Sequence, residues 1–429
     1  GTAGTSQVEV NALGRVIREL EREEGDSGNT VVMTLDLELQ RYTNQRLSDQ
    51  ESAAAVVMDI HNGEVLALSS HPAYDPNAFT NGISHKLWNS LVNNPYAPLS
   101  NKAVNGTYAP GSTFKMCVAL AGLEAGIISP NQKFFCNGHL DLGNARFHCW
   151  KRGGHGWMNM HDSIKHSCDV YYYEISQKIG IDRIAAMANK LGLGEDTGID
   201  LPNERSGLIP TKDWKEIQLG KRWQGGETLI ASIGQGYVLT TPLQLCTMTA
   251  RLASGKAVRP HLTRDNVTPE GVTSRQAEEF PELQVSRANL ARIRDAMNGV
   301  TNELRGTGHG ARIAIKGMEM AGKSGTSQVR RITMRERQTT GVLDNNDLPW
   351  KYRDHALFVA FAPVDNPRYA CSVVVEHGGG GSSVAGPIVR DLLLKAQELQ
   401  SARQGISAAD QPNSANLRRN PAHTDQDEG

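Results

Sequence analysis

Ser112 and Lys115 are the residues whose types and spacing best suit covalent chemistry. They stand in Pro110-Gly111-Ser112-Thr113-Phe114-Lys115, just ahead of the apolar run Met116–Leu123. Positions i and i+3 share a helix face, so an amine can sit beside a hydroxyl. A serine is a poor nucleophile until a base takes its proton. A lysine can be that base once burial or a neighbouring cation lowers its pKa. A helix start also offers backbone N–H groups and a positive dipole end to a forming oxyanion. Standing alone, the same pattern equally describes an N-cap serine followed by a solvated lysine.

Two more short motifs follow in order: Ser167-Cys168-Asp169, beside a helical stretch, and Lys323-Ser324-Gly325-Thr326, on a short strand. The second motif adds a hydroxyl and a polar acceptor that can relay a proton and hold the lysine. The third adds a cation for a substrate carboxylate, hydroxyls, and a glycine that lets substrate lie flat against an edge strand. Ser112-x-x-Lys115 is the one Ser-x-x-Lys of the chain, and Lys323 opens the one Lys-Ser/Thr-Gly. Ser27-Gly28-Asn29 repeats the second pattern, but it precedes the nucleophile in a polar connector.

A separate group could hold a metal. Cys136, Cys149, His155 and Cys168 fall in a region rich in glycine and aromatics. Three thiolates and an imidazole form a closed tetrahedral set suited to one structural Zn2+. The rivals are one disulfide with a free thiol in an oxidising compartment, or unpaired cysteines in a loop. His139, His148, His161 and His166 lie close enough to compete as ligands. No Glu-x-x-His accompanies the set, which argues against a catalytic zinc, so catalysis is expected to need no cofactor. Cys117, Cys246 and Cys371 sit in apolar runs and read as core.

The elements that must position these groups are legible in outline. Val8–Leu20 is an amphipathic piece, and the charged run from Glu19 to Ser27 reads as an exposed connector. Thr30–Leu35 reads as a strand, and Asp36 caps a helix to Leu47. Ala53–Ile60 and Glu64–Leu68, around Asn62-Gly63, read as a hairpin. A loop-rich stretch from Tyr74 leads to Gly111, and a helix opens at Ser112 and ends near Gly126. Helical patterns occupy much of 161–192, 240–254 and Arg287–Val300. Met320–Val329 is strand-like, and 330–354 reads as a long polar loop. Ala356–Pro363 and Tyr369–Glu376 are strands, Val384–Leu399 is a closing helix, and 401–429 has the composition of a disordered tail. Strands from both ends of the chain with helices between predict one antiparallel sheet, flanked by helices and carrying an inserted helical subdomain: an α+β fold.

Composition narrows the function classes. Lys+Arg 45 against Asp+Glu 46 gives a net charge of −1 in 429 residues, which excludes a basic nucleic-acid footprint. No run of 18 apolar residues is present to span a membrane. The chain opens on Gly1 and reads as a fragment.

The three motifs, in this order, resemble the signature of penicillin-binding proteins and β-lactamases. Over Val8–Leu399 the sequence is most similar to the transpeptidase domain of class B penicillin-binding proteins. The supporting stretches are Arg15–Arg18, Leu35-Asp36, Ser69–Asn77, Tyr108–Ser112, Gly198–Pro202, Ile233–Tyr237, Thr241–Gln244 and Ala321–Val329. Asp169 and Ser324, where many relatives carry Asn and Thr, resemble the penicillin-binding protein 2 branch of the rod-elongation machinery. The resemblance implies the penicillin-binding fold and a D,D-transpeptidase acting on peptidoglycan stem peptides that end in D-Ala-D-Ala, with β-lactams as inhibitors. It makes Ser112 the acylated nucleophile, Lys115 its base, Ser167 and Asp169 the second motif, and Lys323, Ser324, Gly325 and Thr326 the substrate holders. The N–H groups of Ser112 and Thr326 would form the oxyanion hole. It further implies a polytopic glycosyltransferase and rod-complex scaffold proteins as partners. The location implied is the periplasmic face of the inner membrane, with an N-terminal anchoring helix outside this sequence. Residues 1–30 would be the end of a non-catalytic pedestal and 31–400 the transpeptidase domain. A D,D-carboxypeptidase, a β-lactamase-like hydrolase and a non-catalytic β-lactam sensor are the alternatives. No Glu has Asn four residues on, as the common class A β-lactamase solution would need.

Overall fold

The computed structural model describes residues 1–405 apart from 81, 269–270, 276–278, 331, 333–335, 337–338 and 340. The chain opens with a hairpin of β1 (Thr5–Val10) and β2 (Val16–Glu23), both almost wholly exposed. It occupies the amphipathic piece expected at 8–20, to which the sequence assigns no element, and takes in part of the expected connector. Its turn is set by Asn11, whose side chain accepts from Leu13 and Arg15 N–H while Gly14 takes a positive φ. After β3 (Thr30–Met33), Asp36 caps α1 (Leu37–Leu47) by accepting from the N–H groups of Glu38 and Leu39. The expected hairpin forms as β4 (Ala53–Asp59) and β5 (Val65–His71). The loop-rich stretch beyond it holds α2 (His85–Val92), capped by Ser84, and the single turn α3 (Lys102–Asn105). The helix α4 (Lys115–Glu124) follows, buried along nearly its whole length.

Four short strands come next: β6 (Phe134–Cys136), β7 (His139–Leu142), β8 (Ala145–His148) and β9 (Gly156–Met158). They pair as two ribbons, β6 with β9 and β7 with β8. The helices α5 (Met160–Lys165), α6 (Asp169–Ile179) and α7 (Ile181–Lys190) fill the first expected helical region. Two surface helices, α8 (Lys212–Leu219) and α9 (Gly225–Ser232), precede α10 (Pro242–Ser254). Helix α10 starts where expected because Thr241 and Gln244 cap each other reciprocally, with Pro242 at the first turn. A ribbon of β10 (Thr263–Thr268) and β11 (Gly271–Ser274) adds to β3, and α11 (Arg287–Asn302) completes the middle.

The last third supplies β12 (Ala321–Ser327), β13 (His355–Ala362), β14 (Tyr369–Val375) and α12 (Gly386–Gly405). Helix α12 overruns the expected end at Leu399. The disordered tail expected over 401–429 lies, from 406 onward, outside the described residues. So does part of the expected 330–354 loop, whose described portion holds two single 3-10 turns, Asn345–Asp347 and Trp350–Tyr352.

Five strands form the central sheet in the order β12-β13-β14-β4-β5, every pair antiparallel. Both faces are covered, which is why β4 reads as a continuous apolar run and not as an alternation. Ala54, Val56 and Met58 join one core with α4, α10 and α11, while Ala53, Ala55 and Val57 join a second with α1 and α12. The strand that carries the third motif, β12, is left on an outer edge of the sheet, beside the segment Gly111–Phe114. No helix among the described residues is long and apolar enough to cross a membrane.

Candidate active site

Ser112 does not open the α-helix directly. Gly111–Phe114 is a 3-10 turn, and the α-helix begins at Lys115, whose N–H donates to the Ser112 carbonyl. Gly111 has φ +54°, and a Cβ there would lie 2.4 Å from the Thr326 carbonyl oxygen. Only glycine lets the nucleophile turn press this closely on the third motif. The turn is fixed from the other side by Gly234, whose carbonyl accepts the Gly111 N–H at 2.8 Å. The Ser112 side chain is left half-exposed between these segments.

Lys115 points inward and is fully buried. A buried amine needs hydrogen-bond partners, and the second motif supplies them. Lys115 Nζ donates to Asp169 Oδ1 at 2.6 Å, to the Ser167 carbonyl at 2.9 Å and to Ser167 Oγ at 3.2 Å. Ser167 can offer hydroxyl and carbonyl together because it sits between α5 and α6 with φ +55°, a left-handed conformation rare outside glycine. Lys323, also fully buried, brings a second amine to the same hydroxyl, 3.0 Å from Ser167 Oγ. Burial first, and then the Lys115 charge, hold the Lys323 amine well below its ordinary pKa. Burial raises the Asp169 carboxyl, against the pull of Lys115. A hydroxyl accepting from two amines keeps its own hydrogen free for a third group, so Ser167 is arranged as a relay.

Lys115, Ser167, Asp169 and Lys323 thus meet through hydrogen bonds, with Ser112 on the turn that leads into Lys115 and Ser324, Gly325 and Thr326 on the strand that carries Lys323. Sequence reasoning did not single out the groups that hold them. Trp150 is one. Its backbone N–H donates to Asp169 Oδ2 at 2.8 Å and its indole N–H to the Ser167 carbonyl at 3.0 Å. Gln235 is another, its side-chain amide donating to the Thr326 carbonyl at 2.9 Å. The only available signal was the Ile233-Gly-Gln-Gly-Tyr stretch, whose paired glycines mark a tight backbone.

The cysteine cluster assembles as its spacing suggests. The ligand atoms of Cys136, Cys149, His155 and Cys168 all lie within 4.8 Å of one another, the one such grouping among the described residues. His155 Nδ1 stands 3.6 Å from Cys136 Sγ and 3.5 Å from Cys149 Sγ. All six cysteines are unbridged. Hydrogen bonds, first from Cys168 and then from His155, lower the Cys136 and Cys149 thiols, and the same bonds raise Cys168, so the three thiols share protons within the set.

Comparison with known proteins follows the same lines. Residues 53–394 match the family model described as penicillin binding protein transpeptidase domain. The chain is 38% identical over 397 residues to peptidoglycan D,D-transpeptidase MrdA of Escherichia coli K12, a match covering 92% of this chain and 62% of that protein. MrdA of Acinetobacter baumannii is 38% identical over 401 residues, covering 92% of this chain and 58% of its own length. The chain therefore spans about three-fifths of these curated relatives. Among solved structures, the complex of PBP2 with MreC from Helicobacter pylori matches with TM-score 0.78 and 34% identity, over 93% of this chain and 69% of that one. Pseudomonas aeruginosa PBP2 bound to WCK 5153 matches with TM-score 0.75 and 36% identity, over 87% and 79%.

Proposed function

Because the chain belongs to the penicillin-binding protein transpeptidase family, we propose that it carries the acyl-transfer site of a peptidoglycan D,D-transpeptidase that cross-links stem peptides during cell-wall elongation. The observation that carries this reading is the meeting of the Lys115 and Lys323 amines on Ser167 Oγ, beside the Ser112 turn. Ser112 Oγ attacks the carbonyl of the penultimate D-Ala, Lys115 takes its proton, and the terminal D-Ala leaves with a proton relayed through Ser167. An amine of a neighbouring stem then attacks the Ser112 ester; the acyl–Oγ bond breaks, the amine's proton returns to Ser112 Oγ by way of Lys115, and the new amide is the cross-link. Lys323, Ser324 and Thr326 receive the substrate carboxylate. The backbone N–H groups of Ser112 and Thr326 receive the oxyanion, a pairing supported by the contact of Gly111 with Thr326. β-Lactams mimic the D-Ala-D-Ala end and stop at the ester.

Intact-mass measurement after treatment with penicillin tests this reading. One adduct per chain is expected, mapping to the peptide that holds Ser112 and persisting for hours. A short-lived adduct would instead favour a β-lactamase, and an adduct elsewhere would remove the assignment.

The same reading places the chain at the periplasmic face of the inner membrane, anchored by an N-terminal helix outside this sequence. Its partners would be a polytopic glycosyltransferase and scaffold proteins of the elongation machinery. The exposed β1–β2 hairpin suits the end of a pedestal completed by segments outside this sequence. Residues 31–400 are then the transpeptidase domain.

Cys136, Cys149, His155 and Cys168 fit one structural Zn2+, which would cross-link the β6–β9 region to the second motif. Cys149 is followed by Trp150, whose N–H holds Asp169, and Cys168 lies between Ser167 and Asp169. The metal would thus pin both ends of the segment that grips Lys115. Cys168→Ser is expected to lower zinc content, melting temperature and acylation although it replaces no reacting group, with acylation down about tenfold for a loss of about 1.4 kcal/mol in positioning. Elemental analysis of protein purified without chelator or His tag decides the point: less than about 0.2 zinc per chain would remove the metal.

A further inference from the structure

We infer that Gln235 determines how strictly this cleft selects ligands: its side-chain amide holds the Thr326 carbonyl until an incoming peptide supplies an N–H, and keeps holding it when the ligand has none. The inference rests on the acyl-transfer reading of the same cleft.

β12 is the outer strand of the sheet, paired to β13 alone, with Thr326 opposite Ala356. In a strand the N–H and C=O of one residue point to the same side. Gln235 Nε2 reaches the Thr326 carbonyl at 2.9 Å, so both backbone groups of Thr326 face the free edge. An extended peptide adding to that edge would exchange both of its backbone bonds with Thr326. If its reacting carbonyl accepts from the Thr326 N–H, the N–H of that same residue falls opposite the Thr326 carbonyl. Gln235 already occupies that place.

Gln235 is delivered there by the backbone. Gly234 has φ +70°, and a Cβ on it would lie 2.2 Å from the Gly111 carbonyl oxygen. Its own carbonyl takes the Gly111 N–H. Residue 235 therefore cannot leave the cleft without parting the nucleophile turn, while its half-exposed side chain can swing aside. A ligand with the N–H displaces the amide. A ligand without it covers the Thr326 carbonyl from water, and Gln235 then supplies the bond that would otherwise be missing. Leaving a covered acceptor unmade is the costly outcome. Gln235 is thus a specificity-determining residue that narrows the gap between the two ligand classes.

Two thioester substrates differing in one atom test this: an N-acyl-D-alanyl thioester and its O-acyl-D-lactyl counterpart, in which oxygen replaces the N–H. The readout is kcat/KM for thiol release by wild type, Gln235→Ala and Gln235→Asn, whose amide is one methylene too short. In both variants the ester is expected to lose about tenfold more than the amide substrate, as for one hydrogen bond withdrawn. An unchanged ratio, or equal losses on both substrates, overturns the inference. Penicillin labelling of Ser112 in the same samples keeps the two readings apart. Absence of a wild-type adduct would sink the acyl-transfer assignment, whereas a normal adduct with an unchanged ratio sinks the role of Gln235 alone.

Discussion

Ser112→Ala is expected to abolish covalent labelling by penicillin while the protein stays folded. The side chain is half-exposed and caps no backbone group; the turn is held by Thr113 Oγ1 on the Pro110 carbonyl and by Gly111 on Gly234. Removing one oxygen there should change stability by no more than about 0.5 kcal/mol, as for an ordinary surface substitution. The chemistry has no substitute, because the acyl group would have no atom to bond to. Labelled penicillin followed by denaturing gel and intact mass reads the result, with a melting curve as the folding control. Labelling that persists in this variant would place the nucleophile elsewhere and end the assignment.

Lys115→Arg is expected to lower the acylation rate by about a thousandfold or more, the scale of a general base withdrawn. A guanidinium is cationic and can still donate toward Asp169 and Ser167, but it does not give up its proton. The variant therefore separates charge from proton transfer. Its melting temperature will also fall, since Lys115 is fully buried and arginine is longer. The rate is accordingly compared per folded molecule. The informative contrast is Lys323→Arg. Lys323 is the amine that burial and the Lys115 charge hold below its ordinary pKa, and it reaches the same Ser167 hydroxyl. If Lys115→Arg acylates within about tenfold of wild type and Lys323→Arg does not, the proton leaves Ser112 through Ser167 to Lys323.

The parts of the molecule legible in the sequence were those whose causes are local. Asp36 announced its helix because a cap acts over three residues, and Asn62-Gly63 announced its hairpin because the turn does. The three motifs were recognisable for the same reason: each is a short segment, and their order survives in the sequence. The first 23 residues carried no assigned element because Val8, Val10, Val16 and Ile17 sit among charges at spacings that fit two periods. Among the described residues nothing buries them to decide between helix and strand. The 3-10 start at Ser112 was hidden because it follows from the approach of Thr326, some two hundred residues away in the chain. Trp150 on Asp169 and Gln235 on Thr326 escaped notice likewise, for each bond joins segments that carry no mark of their partner. The cysteine set was visible as a candidate, since ligand chemistry limits the choices, but its convergence is a property of the fold.

The pairing of β4 with β14 also sets an order of assembly. Ala53–Asp59 meets Tyr369–Val375, so roughly three hundred residues must be looped out before the sheet can close. Such distant contacts make for slow folding. Until the far strand arrives, β4 has β5 as its only sheet neighbour and carries an apolar, unpaired edge that could join the wrong chain. β12 reaches β4 only through β13 and β14. The strand that carries Thr326 is therefore joined to the N-terminal hairpin β4–β5 only by the pairing that seals that edge. A chain interrupted before residue 369 would hold all three motifs and lack the strand that joins β12 and β13 to β4.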